Sequence, residues 1–358
     1  MKKSATISAV CLKGSDPCLA QRAAAWSHLQ RLERECAMAQ ARWTYAKGLK
    51  DIGNGLYAWL QPDGGWGWSN AGLIRDGEAS LLVDTLFDMA LTREMLDAME
   101  DATGIAADRI GVIVNTHANG DHCHGNGCCP QAEIIASQVS AQEMAQVPPA
   151  MLAELKRMGA QLGPAGAYFA DIFAPFDFDN VEARAPTRTF SGELALKVGD
   201  KDVRLVEVGP AHTGGDVLVH VPGDRAVFTG DILFINGTPL MWAGPVANWI
   251  RACDAIIAMD VDVIVPGHGP VTDKSGVRRV SEYLAFIDRE ARRRFDAGLS
   301  VRDAAHDVAL GDYASWGDAE RIAVNVDTLY REYRGDGEVT PVIELFALMA
   351  ELREARRR

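Results

Sequence analysis

The sequence predicts an α/β protein laid out as a sheet, a helical insert and a second sheet. Short apolar runs bounded by Gly, Pro and Asp turns recur on both sides of a stretch that reads as broken helices. One such run, Ile110 to Val114, follows a helix-spaced segment and stops in a polar loop, which is the alternation expected of α/β chains.

From about Ala20 to Lys50 the chain is rich in Ala, Glu, Arg, Leu and Gln and has no Gly or Pro before Gly48, so residues 1–50 read as a helical N-terminal extension. The runs GLYAWLQ, SNAGLIRDG and ASLLVDT follow as an antiparallel meander, turning at Pro62-Asp63-Gly64-Gly65 and at Asp76-Gly77. Leu91 to Ala102 carries helical spacing. Between Val139 and Asn180, Pro148-Pro149 and Gly163-Pro164 divide helical runs that supply Met144, Met151, Met158, Tyr168, Phe169, Phe173 and Phe176, and this insert is expected to cap a site. Strands resume at LALKV, VRLVEVG, VLVHVPG and AVFTGD, and a buried run, VDVIVPG, ends at Gly267. The main domain is thus placed at 51–275 with its insert at 139–180, and a helical extension at 276–358. That extension carries two apolar stripes, Leu284, Ile287 and Ala291, then Val342, Leu345, Phe346 and Met349, from which a homodimer is expected.

Composition narrows the function. The 358 residues are 48% hydrophobic and 24% charged, which excludes a disordered or collagenous chain, and their net charge of −13 argues against nucleic acid or an anionic membrane as partner. A small-molecule substrate suits that balance. The basic start, MKKSATISAVCLKGSDPC, is too interrupted by Ser and Thr for a secretory leader, and no window approaches ~18 apolar residues, so a cytoplasmic location is expected. Seven cysteines, with Cys128 and Cys129 adjacent, fit reduced thiols better than a disulfide framework.

Three of the eight histidines crowd into His117-Ala118-Asn119-Gly120-Asp121-His122-Cys123-His124, directly after the Ile110 to Val114 run. Imidazoles and a carboxylate on one loop form a donor set that Zn²⁺ accepts. Three later signals also sit at strand ends: His212 in Gly209-Pro210-Ala211-His212-Thr213-Gly214-Gly215-Asp216, Asp231 in Phe228-Thr229-Gly230-Asp231, and His268 in Pro266-Gly267-His268-Gly269-Pro270. Rigid strands with variable loops are where convergent side chains build a site.

Taken in order, these signals resemble the metallo-β-lactamase superfamily, with its HxHxDH motif, lone His, strand-ending Asp and late His. The resemblance runs from about Leu56 to Pro270 and includes Asn70-Ala71-Gly72-Leu73-Ile74 and Leu81-Leu82-Val83-Asp84-Thr85. It implies an αββα four-layer sandwich with the metal site at one edge. It also implies that His117 and His212 belong to a first metal position and Asp121, His122 and His268 to a second, with Asp231 bridging.

One position departs from the pattern. Asn119 stands where the second His of HxHxDH is expected, and an amide oxygen is a weaker donor than imidazole, so one tight Zn²⁺ and a weaker second one are expected. The expected activity is a zinc-dependent hydrolase that uses a metal-generated hydroxide on a small, apolar or aromatic ester, lactone, thioester or lactam. Asp121 would orient the nucleophile and Asn119 would donate to an oxyanion. His124 is either a proton shuttle or a group behind the ligands, and Trp66, Trp68 and Trp242 are either substrate walls or core. Other readings are a hydrolytic dehalogenase of activated haloaromatics, a non-haem iron redox enzyme such as a persulfide dioxygenase, and a weakly active metal-binding protein.

Overall fold

The computed structural model describes residues 44–335 and 337–357. Its first sheet has seven strands in chain order: β1 (Gly48–Gly53), β2 (Leu56–Leu60), β3 (Ala71–Asp76), β4 (Ala79–Val83), β5 (Val112–Val114), β6 (Glu133–Ser137) and β7 (Arg188–Phe190). The pairs from β1 to β4 are antiparallel and those from β4 to β7 are parallel. The change falls where the Met89–Thr103 helix separates β4 from β5, since parallel neighbours need a crossover. Asp88 caps that helix by accepting from the Leu91 N–H at 2.8 Å, and Gly104 ends it in the left-handed region.

The second sheet runs in the order β12 (Val263–Val265), β11 (Ala226–Phe228), β10 (Val217–Val221), β9 (Lys201–Glu207), β8 (Glu193–Val198), and is antiparallel except for β11 with β12. Side-chain alternation sets the layers. Leu81 and Val83 face the second sheet and join Val203, Leu205, Val217 and Val219, while Leu82 between them faces the helix and meets Met95 and Met99. On the far side of the second sheet, Leu218, Val227 and Ile264 pack under Trp249, Val277, Val280 and Leu284 from the Val246–Ala258 and Lys274–Asp296 helices. The result is the expected αββα sandwich. Its sheets approach so closely that a Cβ on Gly72 would overlap the Phe228 ring, which leaves that strand position to glycine.

One expectation changes. The chain from Gly48 is already strand β1, with Leu49 opposite Trp59, so no helix reaches Lys50; the rest of the predicted N-terminal helix, up to residue 43, lies outside the described residues. Local propensity favoured helix there, but pairing along β2 decides the outcome. The late apolar stripes are largely buried, with Val342 left 56% exposed. Leu284, Ile287 and Ala291 are fully buried in the sandwich's outer layer, and Leu345, Phe346 and Met349 pack on the insert. An amphipathic stripe records that an apolar partner exists without saying which one. Finally, the insert forms helices at Gln138–Met144, Pro149–Met158 and Gly163–Ile172, and Phe169, Phe173 and Phe176 are buried while Met151 is exposed.

Candidate metal centre

The site lies where four chain segments leave the sheets. β5 runs into Asn115, Thr116 and His117; the β9–β10 connection carries His212; Asp231 follows β11; His268 follows β12. Asn115 holds the first loop closed, its amide donating to the His122 carbonyl at 2.9 Å, and the Thr85 N–H donates to the same carbonyl at 3.0 Å. Asn70 ties the first sheet to the last loop by donating to the carbonyls of Pro266 and Gly269 at 3.0 and 2.8 Å.

All six expected ligands are buried. They fall into two groups, His117 with His212 and Asp231, and Asp121 with His122 and His268, and within each group the donor atoms lie within 4.8 Å of one another. The Asp231 carboxylate is common ground, 3.1 Å from His122 Nε2, 3.3 Å from His212 Nε2, 3.4 Å from His268 Nε2 and 3.7 Å from His117 Nε2. Asp121 Oδ2 is 3.3 Å from His268 Nε2.

Each imidazole is aimed from behind. Nδ1 of His122 donates to Asp84 Oδ2 at 2.9 Å, that of His212 to the Leu240 carbonyl at 2.5 Å, and that of His268 to the Gly64 carbonyl at 3.1 Å. His117 Nδ1 lies 3.1 Å from Thr116 Oγ1, which itself donates to Asp84 at 2.7 Å. With Nδ1 engaged, every Nε2 points inward. His117 Nε2, His122 Nε2 and Asp231 Oδ1 are buried without a well-directed hydrogen bond. Buried polar atoms left open in this way, on imidazole and carboxylate, are what a borderline-soft divalent cation completes, so the donor set fits a metal.

The charges show the same demand. Burial pushes His117 and His212 down, whereas His122 and His268 resist it: the carboxylates of Asp231 and Asp121 lift His122 well up and His268 to about 9. Burial works against the charge on Asp231 and Asp121 as well, yet the histidines hold Asp231 well below the carboxylate range and Asp121 at about 2.

Asn119 borders the first position, half-buried, with Nδ2 3.1 Å from His212 Nε2. His124 is buried against Phe87 and Phe178, at ring distances of 5.5 and 6.1 Å, and burial pushes it down to about 4. Gly120 makes room for it, because a Cβ there would press on the His124 ring. Trp66 sits edge-on to Phe173 at 6.0 Å and also meets Phe346, Trp68 lies 4.9 Å from Phe176, and the Trp242 N–H donates to the His212 carbonyl at 3.0 Å. Cys123 is buried with its sulfur against the Ala118 carbonyl at 3.7 Å, and its thiol is pushed up by burial.

Two contributors escaped the sequence reading as functional groups. Asp84 holds φ +62 at the end of β4 and there reaches Thr116 and His122 together. Its signal was the carboxylate closing LLVDT. Phe234 stacks flat on His268 at 5.0 Å, and the Arg321 guanidinium lies 5.3 Å from the Phe234 ring centroid and 4.5 Å from that of Trp66. No sequence spacing connects residues 234 and 321.

Fold and site together define an αββα sandwich with a preformed centre of four histidines and two carboxylates at its edge. A family-wide profile agrees: the metallo-beta-lactamase superfamily matches residues 64–268, more than half of the chain, and the chain belongs to it. The α subunit of 2,4-dinitroanisole O-demethylase from Nocardioides sp. is 27% identical over 39% of this chain and 36% of its own length. Linear primary-alkylsulfatase from Pseudomonas sp. is 23% identical over 66% and 49%. This chain therefore spans about half or less of those two relatives. The beta-lactamase-like protein 2 homolog of Caenorhabditis elegans is 23% identical over 78% and 83%. Among solved structures, the sec-alkylsulfatase Pisa1 from Pseudomonas sp. superposes with a TM-score of 0.60 at 15% identity over 83% of this chain and 53% of that one. A metallo-beta-lactamase from Pontibacter korlensis gives 0.51 at 17% identity over 67% and 99%. These likenesses are likenesses of fold. Among the described residues no helix is long and apolar enough to cross a membrane.

Proposed function

We propose that the protein is a zinc-dependent hydrolase acting on an ester-like bond of a small apolar or aromatic substrate. The observation that carries this reading is the convergence of four imidazole Nε2 atoms on one buried carboxylate, Asp231. His117, His212 and Asp231 would hold one ion and Asp121, His122 and His268 a second, with the second position the tighter because Asn119 replaces an imidazole at the first. Bound there, the metal supplies Lewis acidity that makes water nucleophilic at neutral pH and polarises the electrophile. The chain's own residues do the rest. Asp121, within reach of the second position, accepts the proton lost by the attacking water, and the Asp84 carboxylate keeps His122 oriented. Trp66, Trp68 and Trp242 are the candidates for an apolar wall, which would favour an apolar leaving or acyl group. The relatives named for an alkylsulfatase and for a dinitroanisole O-demethylase support screening sulfate esters and alkoxynitroarenes beside carboxylic esters, lactones, thioesters and lactams.

The test is elemental analysis of protein purified without added metal, followed by that substrate panel before and after chelation and after Zn²⁺ or Fe²⁺ is restored. Hydrolysis that returns with Zn²⁺ and is absent in His268→Ala supports the proposal. Hydrolysis unaffected by chelation, or unchanged in His268→Ala, defeats it.

A further inference from the structure

The contact between Asn119 and His212 has a consequence for the order in which the two positions fill. His212 Nδ1 faces the Leu240 carbonyl at 2.5 Å, and a carbonyl only accepts, so Nδ1 carries the proton and Nε2 a lone pair. The atom of Asn119 facing that lone pair at 3.1 Å must then be a donor, which fixes the amide with its N–H toward His212. An imidazole nitrogen has one such lone pair. The Asn119 hydrogen bond and a metal at the first position therefore exclude each other. Asn119 is free to serve this role because, although it precedes the Gly120–Cys123 turn of helix, its side chain makes no capping bond. In the second group the Nε2 atoms of His122 and His268 face the carboxylates of Asp231 and Asp121 at 3.1 and 3.3 Å, groups that would themselves share the ion, rather than a side chain from outside the ligand set.

We propose that Asn119 is a latch on the first metal position: it donates to His212 while that position is empty and must release the ring before an ion is held there. This inference rests on the metal-centre reading above and deepens it. It predicts strictly ordered loading, second position first, with the first position weakened both by a missing ligand and by a bond to be broken.

The test uses the full chain, stripped of metal by chelation and titrated with Co²⁺, read by visible absorption and by calorimetry. Wild type is expected to bind two equivalents in two resolved steps. Asn119→Ala removes the latch without adding a ligand, so its second step should tighten roughly two- to tenfold, the worth of one hydrogen bond, while its first step stays put. Asn119→His supplies the missing imidazole and should bring the steps together. Thermal unfolding of the stripped variants checks that each is folded. The latch is refuted if Asn119→Ala weakens or leaves unchanged the second step, since the amide oxygen would then be a ligand or a bystander, or if wild type fills both positions in one step. The metal-centre reading itself fails by a different result: no Co²⁺ bound by wild type or by either variant.

Discussion

Asp84→Asn should separate the aiming of His122 from the stability of the fold. The buried Asp84 carboxylate accepts from the Thr116 N–H at Oδ1 and from Thr116 Oγ1 and His122 Nδ1 at Oδ2, all at 2.7–2.9 Å. Asparagine keeps the shape and tolerates the +62° φ of this position. Its oxygen can keep the Thr116 N–H, but its NH₂ then faces His122 Nδ1. To satisfy it, His122 must move its proton to Nε2, the nitrogen a metal needs. Changes of this kind behind a ligand typically cost 10- to 100-fold in metal affinity, or about 1.4–2.7 kcal/mol. Asp84→Ala should act differently. It loses three hydrogen bonds to a buried carboxylate and places Ala in the left-handed region, for a loss of roughly 3–6 kcal/mol of folding stability. Calorimetric metal titration and thermal unfolding of chelated protein measure the two effects. Asp84→Asn binding metal within twofold of wild type, or Asp84→Ala unfolding no earlier than Asp84→Asn, would show that the carboxylate neither sets the tautomer nor supports the loop.

Three further outcomes are expected. Gly72→Ala drives a methyl into the Phe228 ring between the sheets and should cost about 1–3 kcal/mol, with much of that recovered in the Gly72→Ala/Phe228→Leu double variant; a neutral single variant would contradict the close approach of the sheets. Phe169→Ala should destabilise by about 3–5 kcal/mol, because the ring meets Phe173 at 4.7 Å and Phe346 at 5.5 Å, while the exposed Met151→Ala stays within about 0.5 kcal/mol in a denaturant titration. The Asp216 carboxyl is raised from 3.8 to about 7 by burial, against the hydrogen bonds from Thr213. A raised carboxyl contributes stability that is full below its unfolded value and lost as pH climbs to the folded one. Chelated wild type should therefore decline relative to Asp216→Asn between about pH 4 and 7, by at most about 1.4 kcal/mol per pH unit, and run parallel above 7. A constant gap in melting temperature from pH 5 to 8 would contradict that titration.

The parts of the fold legible in the sequence were those with a local signal. Alternating runs such as ASLLVDT named their strand because each second side chain must leave the water, and the six candidate ligands stood out as histidines and carboxylates gathered near strand ends. Leu49 gave no such signal: its strand exists through pairing with Trp59, a relation between residues that no single window contains. β7, only Arg188–Phe190, is likewise held by its parallel neighbour Ile135–Ser137. The metal-centre residues were readable as types, but their orientation was not. That His212 is fixed by the Leu240 carbonyl and His268 by the Gly64 carbonyl depends on backbone atoms, which carry no residue identity to read.

The C-terminal helices likewise owe their place to packing between distant segments. Leu345, Phe346, Met349 and Leu352 are each buried, and at about 1.5–3 kcal/mol per side chain their burial matches a large part of a domain's net stability. A segment contributing that much is structural, whichever family boundary it falls outside. It also touches function. Phe346 closes against Trp66, Tyr168 and Phe169, so one aromatic cluster is assembled from the loop after β2, the insert and the last helix together. Arg321, anchored to the Thr238 carbonyl at 3.1 Å and to Asp318 at 2.8 Å, packs at 5.3 Å from the Phe234 ring that stacks on His268. Residues past the family's matched segment thus pack against Phe234, which stacks on His268, and against Trp66. Under the proposed function, substrate preference would then depend on segments that a two-sheet core alone does not contain.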